Sequence, residues 1–399
     1  MCAAQKYRDN ATAAALDRRG FLALAAAGAA SLALDPRSLL AVPAGPLAIA
    51  KKSRRLLQLN AYATDAETPL DALTTYLTPN DLFFVRHHWN PQPVEAKKWR
   101  LVVDGEVETP LSLSLAELKN MEQTDATCVL QCAGNGRGLY RPTVPGVQWK
   151  YGAVGNARWT GVRVKTLLER AGLKAGAKHL QLFGSDTPPG KVPPFNRSLE
   201  IEKALEDAII ALTMNGEPLP ALHGAPARLV VPGWAGDHWM KWLARISPQA
   251  EAQKGFYMET AYKYPKTPGA PGTPVKPDEM QRVTELFVKS NFTTVPGRAR
   301  VGESVTLRGF AFSGAPDIAK VEISDDDGVN WREAELGGEH DPHAWRLWSF
   351  AWTPAQSGPA RLLTRATDSR GSVQPREAAW NPSGYLHNGW HAAAIEVTP

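Results

Sequence analysis

From residue 81 onward the apolar positions alternate or fall in short blocks, broken at close intervals by glycine and proline. This pattern predicts strands over 81–88, 99–103 and 111–115, the last two joined at Asp104-Gly105, a strong hairpin signal. Ser114-Leu115-Ala116-Glu117 has the capping-box form, so 115–119 begins a short helix. Val129 and Leu130 read as the end of a buried strand, and 161–171 as an amphipathic helix stopped by Gly172. Residues 179–183 form a strand that runs into a rigid polar loop at 184–190, and 199–211 fit either a helix or a helix followed by a strand. Asn215-Gly216 is a tight turn, and strands follow at 227–231 and 240–246, the second with Lys241 at its start. Short strands with few long helices make this region α+β.

A proline, glycine and lysine stretch at 265–277 reads as a linker or wrapping loop. Beyond it only strands and turns are predicted: 304–312, 318–324, 345–352 and 360–368, with turns at Asp327-Gly328 and 368–371. Evenly spaced strands of this kind predict an immunoglobulin-like β-sandwich. The organisation expected is a processing region at 1–50, a catalytic domain at 51–262 and a sandwich at 263–399.

Length and composition agree with two domains: 399 residues, 43% hydrophobic and 21% charged, describe a globular chain. The net charge of +5 includes no block of five or six basic residues, which argues against a nucleic-acid partner. Thirteen tryptophans and 32 prolines point to ordered, irregular loops around aromatic-walled cavities. At the N-terminus, Arg18-Arg19 precede a weakly hydrophobic, alanine-rich run ending at Leu34. This has the form of a twin-arginine export signal, which carries proteins folded around a cofactor to the periplasm; an uncleaved anchor or a chance basic start are the other readings. The run is too short and alanine-rich for a membrane span, so none is expected in the mature chain.

The candidate chemistry centres on Cys132, at a strand end before the small-residue turn Ala133-Gly134-Asn135-Gly136 and then Arg137. With three cysteines in all there is no disulfide framework, and Cys128 and Cys132 lie about 13 Å apart along an extended strand. Around this loop the sequence places arginines, histidines and a lysine at other strand ends: Arg86, His87 and His88; His223 and Arg228; His238 and Lys241. Their recurrence suggests an anionic cofactor held by several segments. Cys132 then suits a soft metal, or alternatively a nucleophile with a histidine base. No dinucleotide, Walker or H-E-x-x-H pattern is present.

Several of these stretches, in this order, resemble the sulfite oxidase family of molybdopterin enzymes. They are Phe84-Val85-Arg86-His87-His88, Leu130-Gln131-Cys132-Ala133-Gly134-Asn135-Gly136-Arg137, the 152–162 segment, Met214-Asn215-Gly216-Glu217-Pro218 and Arg228-Leu229-Val230-Val231-Pro232-Gly233-Trp234. Trp380-Asn381-Pro382 and Asn388-Gly389-Trp390-His391 resemble the end of that family's dimerisation domain, so the likeness spans about 75–399. It implies molybdenum carried by molybdopterin, with Cys132 as the metal's thiolate ligand. Phe84, Val85, Arg86, His87, His88, Asp186, His223, Arg228, Trp239, Met240 and Lys241 fall in cofactor-contacting segments, and Arg86, Arg137 and Trp149 where the family lines its oxyanion pocket. It also implies a homodimer that oxidises sulfite to sulfate and passes electrons to an external acceptor such as a c-type cytochrome. The alternative is a relative acting on sulfane sulfur or another small sulfur compound. Three departures bear on substrate: Leu212 stands where sulfite-oxidising members usually carry a tyrosine, His87 replaces an asparagine, and Gly136 replaces an arginine.

Overall fold

The computed structural model describes residues 49, 51–60, 63–90 and 93–399. The expected export signal lies outside the described residues. All of these residues belong to one of the chain's two compact units, Pro46–Pro399. Among the described residues no helix is long and apolar enough to cross a membrane.

Two sheets build the first region. In one, strand Thr124–Gln131 pairs antiparallel along its whole length with Val154–Arg163, which pairs in turn with Ile209–Met214; Arg228–Val230 adds to Ile209–Met214. In the other the order is Leu111–Ser114, Arg100–Val103, Leu243–Gln249, His179–Gly184 and Arg197–Glu200, with one parallel pairing, between Leu243–Gln249 and Arg100–Val103. The predicted capping box holds: Glu117 N–H donates to Ser114 Oγ, and Ser114 N–H to Glu117 Oε2 at 2.8 Å. The Asp104-Gly105 signal sits in a seven-residue connection, because register pairs Val103 with Leu111.

Three predicted elements need correction. Residues 81–88 are no strand: Leu82 and Phe83 N–H turn back onto Pro79 O, and only Val85 makes a bridge, to Ala66. The helix begins at Val164 and not at 161, since Val154–Arg163 continues as strand; a Cβ on Gly161 would lie 1.9 Å from Ile210 O, so glycine there serves close strand pairing. Strand Leu243–Gln249 starts after Lys241, which belongs to the turn before it, with Trp242 at φ +48°. The ambiguous stretch resolves into strand Arg197–Glu200, helix Ile201–Glu206 and strand Ile209–Met214.

The C-terminal region is the expected sandwich. One sheet holds Lys289–Thr294, Val305–Phe312, Arg346–Trp352 and Glu335–Leu336; the other holds Arg298–Arg300, His391–Thr398, Gly358–Asp368, Ile318–Ser324 and Arg332–Glu333. Leu307, Val321, Ile323, Trp348, Leu362 and Ile395 fill the space between them. The two regions share a further apolar layer that includes Val129, Val154, Ala235, Phe310, Trp345 and Leu386. Backbone bonds cross it, from Val129 N–H to His343 O and from Leu386 N–H to Ala133 O, both 2.9 Å. The proline-rich stretch is the loop of a small antiparallel pair, Lys263–Pro265 with Met280–Arg282.

Candidate active site

Cys132 follows the last residue of strand Thr124–Gln131 and is fixed by a short hydrogen-bonded turn. Its N–H donates to Ala153 O at 3.0 Å and its carbonyl accepts from Asn135 N–H at 2.9 Å. Asn135 clamps the turn at both ends, donating to Gln131 Oε1 and accepting from Ala153 N–H. Gly136 follows at φ +88°, where a Cβ would lie 2.6 Å from His387 Cβ of the sandwich. Only glycine allows this turn and this contact together. Both Cys128 and Cys132 are free thiols. Burial pushes the Cys132 thiol up, against the opposing charge of Arg86.

A cavity opens beside this thiol. Phe84, Arg86, His87, His88, Asp186, His223, Arg228, Trp239, Met240 and Lys241, the residues the resemblance assigns to cofactor contact apart from Val85, line it. Arg86 pairs with buried Asp65 at 3.4 Å, and Asp65 also accepts from His87 N–H at 3.1 Å. His87 Nε2 lies 3.1 Å from Leu222 O and His88 Nε2 2.8 Å from Tyr262 OH. Lys241 donates to Arg86 O at 2.9 Å and lies 4.3 Å from the centre of the Trp242 ring. Arg228 donates to His223 O at 3.0 Å and sits over the rings of Trp159 and Trp239.

Electrostatically the cavity is short of negative charge. Burial drives the Arg228 guanidinium down to about 9 and, with the charge of Arg228 added, pushes Lys241 well below the usual lysine range. Burial and the Lys241 charge take His87 down to about 2, so its imidazole is neutral. Burial raises the Asp186 carboxyl, with Lys241 opposing. Arg86, Arg228, Lys241 and Lys52 face this region; Asp65 pairs with Arg86, Asp237 is taken by Arg197, and Asp186 is the carboxylate among the lining residues that no salt bridge takes. Arg228 Nε and His87 Nδ1 are buried with no hydrogen-bond partner among the described residues. An unpartnered guanidinium N–H on Arg228 and crowded cations in a desolvated wall fit a large anionic ligand. The described residues include no cluster of three or more His, Cys, Asp or Glu side chains able to hold a bare metal ion. A soft metal at Cys132 would therefore take its other donors from an organic cofactor, which a molybdopterin supplies.

Val85, Arg137 and Trp149 are placed differently from the rest. Val85 is buried in its bridge to Ala66 and does not line the cavity. Arg137 lies outside the lining, donating from Nε to Ser383 O at 3.1 Å and from Nη1 to Val147 O at 3.2 Å, with its guanidinium 5.1 Å from the Tyr385 ring centre. Gly134, Gly146 and Gly384 pack so closely against it that a Cβ on any of them would meet its side chain within 3 Å. Trp149 is fully buried, edge-on to Phe84 at 6.4 Å, with Nε1 unpartnered among the described residues. Leu212 packs in the first region's core and is not among the lining residues. Sequence reasoning missed Lys52, Asp65, Phe195, Trp242, Tyr262 and Asp237, all of which lie outside the motif stretches.

A family model for the oxidoreductase molybdopterin binding domain matches residues 87–257, and one for the Mo-co oxidoreductase dimerisation domain matches 282–398. Sulfite oxidase of Arabidopsis thaliana is 32% identical over 374 residues, covering 86% of this chain and 94% of the plant protein. The chain belongs to the sulfite oxidase family. Mitochondrial sulfite oxidase of Mus musculus is 35% identical over 354 residues, 84% of this chain but 64% of the mouse protein, so the chain spans about two thirds of that relative. The solved sulfane dehydrogenase SoxCD from Paracoccus pantotrophus superposes with a TM-score of 0.75 at 29% identity, covering 89% of this chain and 92% of that one. The matched regions give the chain an α+β molybdopterin-binding domain followed by a dimerisation-domain sandwich, and its family implies a molybdenum cofactor.

Proposed function

We propose that the protein is a molybdenum-dependent dehydrogenase for a small anionic sulfur compound, with sulfite as substrate and an external carrier such as a c-type cytochrome as electron acceptor. The observation that carries this reading is the buried, cation-rich cavity against the Cys132 thiol, lined by residues the resemblance assigns to cofactor contact. The cofactor supplies the two-electron redox chemistry when bound. The chain's contribution is binding and orientation: Cys132 as thiolate ligand, Arg86, Arg228 and Lys241 toward the anionic cofactor, and neutral His223 as a donor, while the single N–H of neutral His87 goes to Leu222 O. Arg137 and Trp149, outside the cavity lining, are assigned to the oxyanion pocket on the resemblance alone. In balance, sulfite and water give sulfate, two protons and two electrons, and the electrons leave singly to the carrier.

A second substrate reading, sulfane sulfur, is favoured by Leu212 and by the likeness to the SoxCD structure. Steady-state reduction of cytochrome c by sulfite, thiosulfate and a protein-bound persulfide separates the two. Sulfite turnover at least tenfold above the others is the expected result; turnover on persulfide alone transfers the assignment to sulfane sulfur. Part of the same proposal is a homodimer formed through the sandwich, supported by the dimerisation-domain match, for which light scattering should give twice the chain mass. Export by the twin-arginine route to the periplasm rests on Arg18-Arg19 and the run after them. The pair of substitutions Arg18→Lys and Arg19→Lys should leave precursor in the cytoplasm.

A further inference from the structure

Lys52 belongs to the N-terminal arm, far in sequence from every cofactor motif, yet its ammonium reaches the back of the cavity wall. Nζ lies 2.6 Å from His223 Nε2, 2.8 Å from Phe83 O and within hydrogen-bond distance of Asn80 O. Burial draws Lys52 down to about 7, against the charge of Asp81, and in its charged form, below that pH, it has three N–H donors for these three acceptors, one for each. Nε2 then carries the lone pair, and the single proton of a neutral imidazole is on Nδ1. His223 is neutral: burial first, then the charges of Lys52 and Arg228, push it well below its usual range. The ring is held from its other sides by Phe83, edge-on at 5.4 Å, and by Arg228 on its carbonyl. Nδ1 has no hydrogen-bond partner among the described residues, and His223 lines the cavity. An imidazole whose proton is fixed on its unpartnered nitrogen is a directed donor.

We propose that Lys52 is a positioning residue for the cofactor: it fixes His223 as an Nδ1–H donor toward an anionic group of the bound pterin, and so couples docking of the N-terminal arm to cofactor retention. This rests on the assignment of the cavity to molybdopterin. The arm is a light structure, a two-stranded pair of Leu57–Asn60 with Asp65–Glu67 whose outer residues Leu57 and Leu59 are exposed. Its attachment near residue 52 runs through the Lys52 bonds and through Ser53 N–H to Asp81 O. Coupling is reciprocal, so a bound cofactor must also hold the arm.

The experiment has two readouts that do not need turnover. The first is the ¹⁵N NMR signature of His223 in apo-protein: the wild type should show the Nδ1–H tautomer and Lys52→Met a shifted or mixed one. The second is pterin retained after prolonged gel filtration of holoenzyme, read by fluorescence of the oxidised pterin. Lys52→Met should release it at least about tenfold faster, Lys52→Arg should restore most of the retention, and Lys52→Met should add nothing in a His223→Ala background. Equal retention by wild type and Lys52→Met, an Nε2–H tautomer in the wild type, or additive losses in the double variant would each overturn the proposal while leaving the cavity assignment intact. Wild-type protein that takes up no pterin defeats the cavity assignment instead. Should Lys52→Met fail to fold, hydrogen exchange of residues 51–60 in wild-type apo- and holo-protein decides the matter: slower exchange with cofactor is expected, and equal exchange refutes the coupling.

Discussion

Glu322 in the sandwich and Arg228 in the cavity wall are both buried charges, and their surroundings are opposite. Glu322 lies between Lys320 at 3.0 Å and Arg365 at 2.9 Å, and although burial works against it, these partners hold its carboxyl below the usual range. Nearby polar groups are matched as well: Ser313 donates to Asp368, and Ser290 shares a hydrogen bond with Thr364. Arg228 has carbonyls and aromatic faces around it but no carboxylate contact, and its Nε is unpartnered among the described residues. A desolvated charge without a counter-ion costs several kcal/mol, and a ligand of opposite charge offsets that cost. The Glu322 charge is answered within the sandwich, whereas the cavity wall leaves Arg228 without a counter-ion.

The sharpest break in that contrast is Cys132→Ser. It should lower turnover at least about 1,000-fold, equivalent to about 4 kcal/mol, while circular dichroism and melting temperature stay at wild-type values. Full activity in the serine variant would remove the thiol from the chemistry.

A cavity in the sandwich should have the converse effect. Leu362 is fully buried between the sheets, and Leu362→Ala should destabilise the fold by roughly 2–5 kcal/mol in urea unfolding. Turnover per bound molybdenum should not change. A parallel loss of turnover would mean that the two regions are mechanically one.

The sandwich also holds buried polar atoms with no hydrogen-bond partner among the described residues, among them Asn291 Nδ2, Thr367 Oγ1 and Lys289 Nζ, the last on the face toward Tyr151, His387 and His391. Burial pushes Lys289 down to about 7 from 10.5. The folded state thus disfavours the charged form. The penalty is complete below pH about 7, shrinks as pH rises toward 10.5 because the unfolded chain there binds the extra proton, and is absent above. Lys289→Met should therefore raise stability by roughly 1–4 kcal/mol at pH 6, and the gain should fade by pH 10. Thermal unfolding across that range checks the sign.

The smallest expected effect belongs to Arg137. Removing its charge with Arg137→Met should raise the KM for sulfite about tenfold, or about 1.4 kcal/mol if KM tracks affinity, with molybdenum content unchanged. An unaltered KM would return Arg137 to a purely structural role, holding Ser383 and Val147 of two segments together.

Much of this was legible locally. The capping box at Ser114, the Asn215-Gly216 turn and the long sandwich strands are set by spacing and turn chemistry within a few residues, so the sequence determined them. The sequence also determined that Cys132 ends a buried strand at a glycine turn, because Val129 and Leu130 need an apolar neighbour sheet and Gly136 needs φ +88°. Only the tertiary structure decided what faces the thiol. Residues 81–88 have the composition of a strand but have a single bridge available, since Asp65 and Pro79 take the neighbouring backbone donors. Tyrosine at Leu212 would overpack a filled core, although its place before the Asn-Gly turn suggested a pocket position. Lys52 carries no signal in sequence, for a lysine in a basic arm looks like any solvated charge. Its part depends on an approach across 171 positions to His223, and a contact of that kind is fixed by the packing of the whole domain, not by any local pattern.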